Sequence, residues 1–286
     1  MRIERKFRFL TPAKINFHLF IQKKRADGYH ELLMDLIPVS LFDEITLFPT
    51  DKEGITLESN LENLAAEENL VMKAVRILEE KTKTRFTLKI KLQKRIPAGA
   101  GLGGGSGNAA GTLVVMNQIF KIGFSDDQLR EFALELGADV PFFINPRPSI
   151  AEGIGEKLSA LPSFKPIYLI LLFPGFPIST KEAYSQCNIS ARNKLISGYS
   201  PELLKQFAPE MNDFWEPLQK QYPDLKKCHR QLIQQNAVAA GISGSGSTLF
   251  SVFPDQDSRN QAFSNLASIP DRKIFCCETL NSHTYI

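Results

Sequence analysis

Apolar and polar positions alternate clearly in two stretches. Ile15, Phe17, Leu19 and Ile21 alternate with Lys14, Asn16 and His18, which predicts a half-buried strand with Lys14 and Asn16 on its polar face. Phe86, Leu88, Ile90 and Leu92 alternate with Thr87, Lys89, Lys91 and Gln93, which predicts a second strand. Between them, Glu68 to Lys81 carries helical spacing through Leu70, Ala74, Val75, Ile77 and Leu78. A helix is expected from Asn108 to Phe120. Ser125 with Gln128 forms a capping-box pattern for another helix that ends near Gly137. The apolar run Tyr168–Phe173, set between Pro166 and Pro174-Gly175, predicts a buried strand, and Pro201 after Ser200 opens a helical region reaching Gln235. The glycine-rich segment Gly241–Gly246 leads into a strand from Thr248 to Phe253. Strands and helices are interspersed throughout, so the expected class is α/β. Two domains are expected, spanning 1–157 and 158–286.

Composition narrows the possibilities. A chain of 286 residues suits one large or two modest domains. Its net charge is only +3, and its densest basic cluster, Lys23–Arg25, suits a solvated loop, so no nucleic-acid partner is expected. Cys187, Cys228, Cys276 and Cys277 form no CxxC pair and are expected to be reduced thiols. The four histidines are too dispersed to form a metal site legible in sequence. The segment MRIERKFRFL lacks the apolar core of a signal peptide, and Tyr168–Phe173 is too short to cross a bilayer. A cytoplasmic protein without a membrane partner is therefore expected.

The strongest chemical signal lies between the second strand and the helix after it: Pro97, Ala98, Gly99, Ala100, Gly101, Leu102, Gly103, Gly104, Gly105, Ser106, Gly107, Asn108. Glycines let a backbone approach a ligand closely and place successive N–H groups toward phosphate oxygens, while the following helix offers its positive end. A Walker A loop needs a Lys after its glycines, and this segment has none. Gly99, Gly101 and Gly104 match a dinucleotide fingerprint, but the acidic residues about 20 positions on, Asp126 and Asp127, fall at a helix start and not at a strand end. A ligand-free structural loop is the remaining alternative.

The run Pro97–Ala110 resembles the phosphate-binding motif of the GHMP kinases. Its form GLGGGS-x-NAA is closer to the diphosphocytidyl-methylerythritol kinases of that family than to its galactokinases or mevalonate kinases. Gly107 departs from the usual Ser-Ser-Asn and removes a hydroxyl. Thr11–Asn16 resembles the family's first motif and Gly241–Ser247 its third, in the same order. The fold implied pairs an N-terminal ribosomal-protein-S5-domain-2-like domain with a ferredoxin-like C-terminal domain, with the active site in the cleft between them.

The activity implied is transfer of the ATP γ-phosphoryl group to a hydroxyl of a small molecule carrying a cytidine diphosphate, in non-mevalonate isoprenoid synthesis. Mg²⁺ would be held through the ATP phosphates, with Ser106 a candidate ligand. The resemblance assigns Lys14 and Asp139 (of Gly137-Ala138-Asp139-Val140-Pro141) to catalysis. It assigns Pro97, Gly99–Asn108, Asn69, Leu70 and Asn117 to ATP. To the acceptor it assigns Asn16, Tyr29, His30, Asp139, Thr180, Tyr184, Gly244, Ser245 and Gly246. An aromatic ring can stack on a base, and an imidazole can bond a pyrimidine edge. A monomer or weak homodimer is expected. Two other functions compete: a GHMP kinase for a sugar or mevalonate-type alcohol, against which Tyr29-His30 and GLGGGS argue, and a non-catalytic nucleotide sensor, against which Lys14 and Asp139 argue.

Overall fold

The computed structural model describes every residue except 62–67, 188, 190–194, 196, 197 and 286. The first half is built around one long strand, β3 (His30–Phe48), which both β1 (Phe7–Ile15) and β2 (Leu19–Lys24) join antiparallel. With β4 (Ile55–Ser59), β5 (Leu88–Gln93), β6 (Ser149–Gly153) and β7 (Lys157–Ala160) they form a seven-stranded sheet of order β4-β5-β3-β6-β7. Three helices, α1 (Leu70–Thr82), α2 (Gly104–Ile119) and α3 (Asp126–Leu136), pack with one another and share its core. Asn69 caps α1 by accepting the Val71 N–H at 2.9 Å. The Ser125–Gln128 capping box forms in both directions.

Two expectations need correction here. The strand foreseen over Lys14–Ile21 is interrupted at Asn16–His18, between β1 and β2. Its polar face is not solvated either: Lys14, Asn16 and His18 are all buried. Both faces of this stretch are packed: Ala13, Ile15 and Phe17 against apolar side chains, and Lys14, Asn16 and His18 against one another's polar groups, Asp35 and the glycine-rich loops. The helix foreseen from Asn108 begins four residues earlier, at Gly104.

The second half contains β8 (Tyr168–Phe173), α4 (Thr180–Ser185), α5 (Pro201–Leu204), α6 (Trp215–Gln221), α7 (Pro223–Ile233), β9 (Ala239–Ile242), β10 (Leu249–Phe253), α8 (Gln256–Leu266) and β11 (Lys273–Glu278). Its antiparallel sheet runs β11-β8-β10-β9. That is the fourth strand beside the first, then the third and second, which is the ferredoxin-like order. The boundary expected between 157 and 158 falls inside β7, which still pairs with β6, so the change of sheet comes after Ala160. Ala13, Ile15, Phe17, Ile37 and Val39 of the first domain share a core with Leu169, Leu171, Phe250 and Val252 of the second. Phe17 meets Phe250 edge-on at 5.1 Å between ring centroids. This shared core buries the turn after Lys14 and sets the two glycine-rich loops side by side.

Candidate active site

Helix α2 starts from a left-handed Gly103 (φ +67°), and no side chain caps it. Its first N–H groups therefore lack intrahelical partners, and the positive end of its dipole points the same way. The loop ahead of it is held through its carbonyls. Those of Gly99, Ala100, Gly101 and Leu102 accept from Ile178 N (3.2 Å), Thr248 N (3.2 Å), Ser243 Oγ (3.1 Å) and Lys14 N (3.0 Å). Three of the four donors come from the second domain, which sets the loop against it. Glycine is required where they meet: a Cβ on Gly101 (φ +76°) would stand 2.1 Å from the Ser243 carbonyl oxygen. A Cβ on Gly103 would lie 2.9 Å from the Phe143 ring and 3.1 Å from Lys14 Cγ.

Lys14 reaches the loop from β1. Its ammonium lies 3.7 Å from the Asp139 carboxylate and donates to Asn16 Oδ1 at 2.7 Å. The Lys14 side chain is 5% exposed and that of Asp139 35%, so the acid faces open space while the cation is enclosed. Asn16 donates to the Asp35 carbonyl at 2.5 Å. The buried Asp35 carboxylate accepts the N–H groups of Phe17 (2.7 Å) and His18 (3.0 Å), lies 2.6 Å from His18 Nδ1, and accepts the Tyr199 hydroxyl at 2.8 Å. These bonds hold the break between β1 and β2 in place. Burial, then the adjacent Asp35, pushes the Tyr199 phenol well above its ordinary range.

Farther along, the His30 and Tyr184 rings stack at 4.8 Å between centroids and 12° between planes, although they come from different domains. Burial, with the Lys24 ammonium adding to it, holds His30 below the ordinary imidazole range, so the ring is neutral at neutral pH. Tyr29 beside it is 58% exposed. The Thr180 and Ser245 hydroxyls are 3.1 Å apart.

A single cavity of about 1030 Å³ joins these features. It is lined by Lys14, Tyr29, His30, Leu70, the loop from Pro97 to Ser106, Asp139, Thr180, Tyr184, Gly244 and Ser245. Other expected site residues do not line it. Asn16 stands behind Lys14, and Asn69 caps α1. The Asn117 amide is spent on the backbone of Phe124, at 2.9 and 3.0 Å. Gly107 and Gly246 pack against protein, and Asn108 is buried beneath the loop.

Sequence reasoning missed Lys24, Met34, Lys181, Cys187 and Phe214, which also line the cavity. It also missed the buried acids Asp35 and Asp43. A lone acid in a strand carries no sequence signal of its own. Asp35 and Asp43 are legible only once their partners are in place.

Two family models match the chain: the GHMP kinases N terminal domain over residues 69–146 and the GHMP kinases C terminal over residues 200–270. The chain is similar to the 4-diphosphocytidyl-2-C-methyl-D-erythritol kinase of Syntrophus aciditrophicus, at 34% identity over 96% of this chain and 99% of the relative. It is similar to the kinase of the same name from Syntrophotalea carbinolica, at 37% identity over 96% and 99%. Among solved structures, a 4-(cytidine 5'-diphospho)-2C-methyl-D-erythritol kinase superposes with a TM-score of 0.79 at 28% identity, covering 96% of this chain and 99% of that one.

Proposed function

The chain belongs to the GHMP kinase family, and we propose from that premise that it transfers the γ-phosphoryl group of ATP to the 2-hydroxyl of 4-diphosphocytidyl-2-C-methyl-D-erythritol, a step of non-mevalonate isoprenoid precursor synthesis. One observation carries the reading: the Lys14–Asp139 pair lies in the same cavity as an uncapped helix start and a two-domain aromatic stack. The helix start and the loop N–H groups suit the triphosphate. Leu70 would border the adenine. Tyr29, His30 and Tyr184 would hold the cytosine, a tyrosine ring stacking on the base and a neutral His30, turned out of its stack with Tyr184, bonding its edge. Thr180, Gly244 and Ser245 lie near enough to Lys14 to receive the diphosphate-bearing arm.

In the chemical step the Asp139 carboxylate takes the acceptor's hydroxyl proton as the hydroxyl oxygen attacks the γ-phosphorus, and the bond from that phosphorus to the β,γ-bridging oxygen breaks to release ADP. The Lys14 ammonium, fixed by Asn16, steadies charge on the transferring group. Mg²⁺, when bound with the nucleotide, would supply charge neutralisation during the transfer. The Ser106 hydroxyl, which lines the cavity in the first turn of α2, is the chain's own candidate ligand for that ion.

The proposed state is a monomer or weak homodimer. The proposed setting is the cytoplasm, where ATP is supplied and the four free cysteines stay reduced. The test is ADP release by the purified protein with a panel of alcohols: the diphosphocytidyl substrate, its uridine analogue, mevalonate, homoserine and galactose. Turnover is expected with the cytidine compound and much less with the uridine one. Preference for another alcohol would replace the acceptor, and nucleotide binding without any turnover would leave a sensor.

A further inference from the structure

Asp43 takes no part in the chemistry above, yet its bonds reach both ends of the phosphate loop. It lies on β3 and is fully buried. Its Oδ1 accepts the N–H groups of Arg95 (2.7 Å) and Ile96 (2.9 Å), the two residues just before Pro97. Its Oδ2 accepts Asn108 Nδ2 at 3.0 Å, just past the loop's other end, and the Lys94 ammonium. Asn108 Oδ1 accepts Lys94 Nζ at 2.9 Å, and Asn108 Nδ2 also reaches Thr11 Oγ1 at 2.6 Å, three residues before Lys14. The segment between these ties is mostly glycine and has little stiffness of its own. Binding a triphosphate to a loose loop would carry the entropy of ordering it, and a loop held in its bound shape avoids that loss.

We propose that Asp43 is a positioning residue for the nucleotide, fixing the separation of the two ends of the phosphate loop through Arg95–Ile96 on one side and Asn108 on the other. Lys94 is its counter-ion rather than a phosphate ligand, because the ammonium is enclosed between the Asp43 and Asn108 side chains. A buried ion pair is weak support for stability by itself, since desolvation offsets much of the attraction. Charge-assisted bonds to backbone N–H groups, by contrast, are short and directional and suit the holding of geometry.

The proposal rests on the loop being the ATP site, and its test separates the two. Asp43→Ala with Lys94→Met cuts the ties without stranding a charge. The KM for ATP is expected to rise about tenfold or more while that for the acceptor stays within about twofold, because small displacements of a binding loop act on the ligand it holds. Asp43→Asn with Lys94→Met keeps an oxygen for the Arg95 and Ile96 N–H groups and a donor that Asn108 can accept by turning its amide, so it should restore the ATP KM to within about threefold of wild type. A purely structural role would lower the active fraction and leave both KM values alone. A folded Asp43→Ala, Lys94→Met protein with an unchanged ATP KM, or with both KM values raised together, overturns the proposal. If that variant does not fold, Asn108→Ala removes the far tie, with the Asn108 bonds to Lys94 and Thr11, and leaves the Asp43 bonds to Arg95 and Ile96 in place. ADP affinity measured by calorimetry should then weaken about fivefold, and an unchanged affinity overturns the proposal equally. Absence of wild-type turnover with the cytidine substrate would count against the acceptor alone, since the ADP measurement does not depend on it.

Discussion

Replacing Asp139 with Asn separates catalysis from binding, and the structure gives the size of both effects. At 3.7 Å the attraction between Lys14 and Asp139 is about 1 kcal/mol in a water-like medium and about 4 kcal/mol at an effective dielectric constant near 20. Asp139 is about one-third exposed, so solvent screening puts the net value at the low end, about 1 kcal/mol or less. Lys14 also keeps Asn16 Oδ1 as an acceptor at 2.7 Å when the charge is removed. The variant should therefore fold and bind both substrates. Loss of a general base is worth about 10²- to 10⁴-fold in kcat, a barrier of about 3–5 kcal/mol, well above the ground-state loss. The assays are kcat by ADP release, ligand binding by calorimetry and stability by urea denaturation. Lys14→Met should also slow the step, by removing charge from beside the transferring group. The double variant should show less than the sum of the two effects if the pair works as a unit. A folded Asp139→Asn enzyme within about threefold of wild type, well short of a general base's worth, would refute the assignment and move the search for the base elsewhere in the cavity.

Three further outcomes can be checked. Gly103→Val puts a β-branched side chain at φ +67° against Phe143 and Lys14, so ADP affinity should fall at least about tenfold in a protein that still folds, and unchanged binding would remove the loop from the nucleotide site. His30 is held below the ordinary imidazole range by burial and then by Lys24, so its folded pKa is lowered and the neutral ring is the favoured form in the folded state. Any stability it contributes is lost as pH falls through that lowered value. The acceptor KM should accordingly rise on acidification in wild type, with its midpoint below that of a free imidazole, but not in His30→Gln; a midpoint at the free-imidazole value would show an unshifted ring. Tyr199→Phe removes the hydroxyl that bonds the buried Asp35 at 2.8 Å, and urea denaturation should show a loss of about 1.5–3 kcal/mol. A loss below about 0.5 kcal/mol would mean the bond contributes no more than an ordinary surface contact.

The sequence by itself determined the features that rest on local rules. Ser125 and Gln128 cap the helix they announce, because a capping box needs only neighbouring residues. Tyr168–Phe173 is a buried strand because a short apolar run bounded by turn residues has few other solutions. The glycine-rich loop sits between a strand and a helix and lines the cavity, as its composition demands. The mixed class was likewise legible, and the resemblance of whole motifs pointed to Lys14 and Asp139, which line the same cavity 3.7 Å apart.

Tertiary structure decided everything that depends on partners distant in the chain. Lys14 and Asn16 look like the wet face of a strand until the two glycine-rich loops, at Gly103 and Gly244, close against them. The break at Asn16–His18 is held because the Asp35 carboxylate, itself bonded by the Tyr199 hydroxyl, accepts the Phe17 and His18 N–H groups there. Asn117 has the composition of a site residue, but a turn seven residues away takes its amide. His30 and Tyr184 become a stacked pair only when two domains meet. Periodicity reports how many faces a segment buries and not what covers them, and a polar side chain acquires its role from whichever donors and acceptors the fold brings within about 3 Å of it.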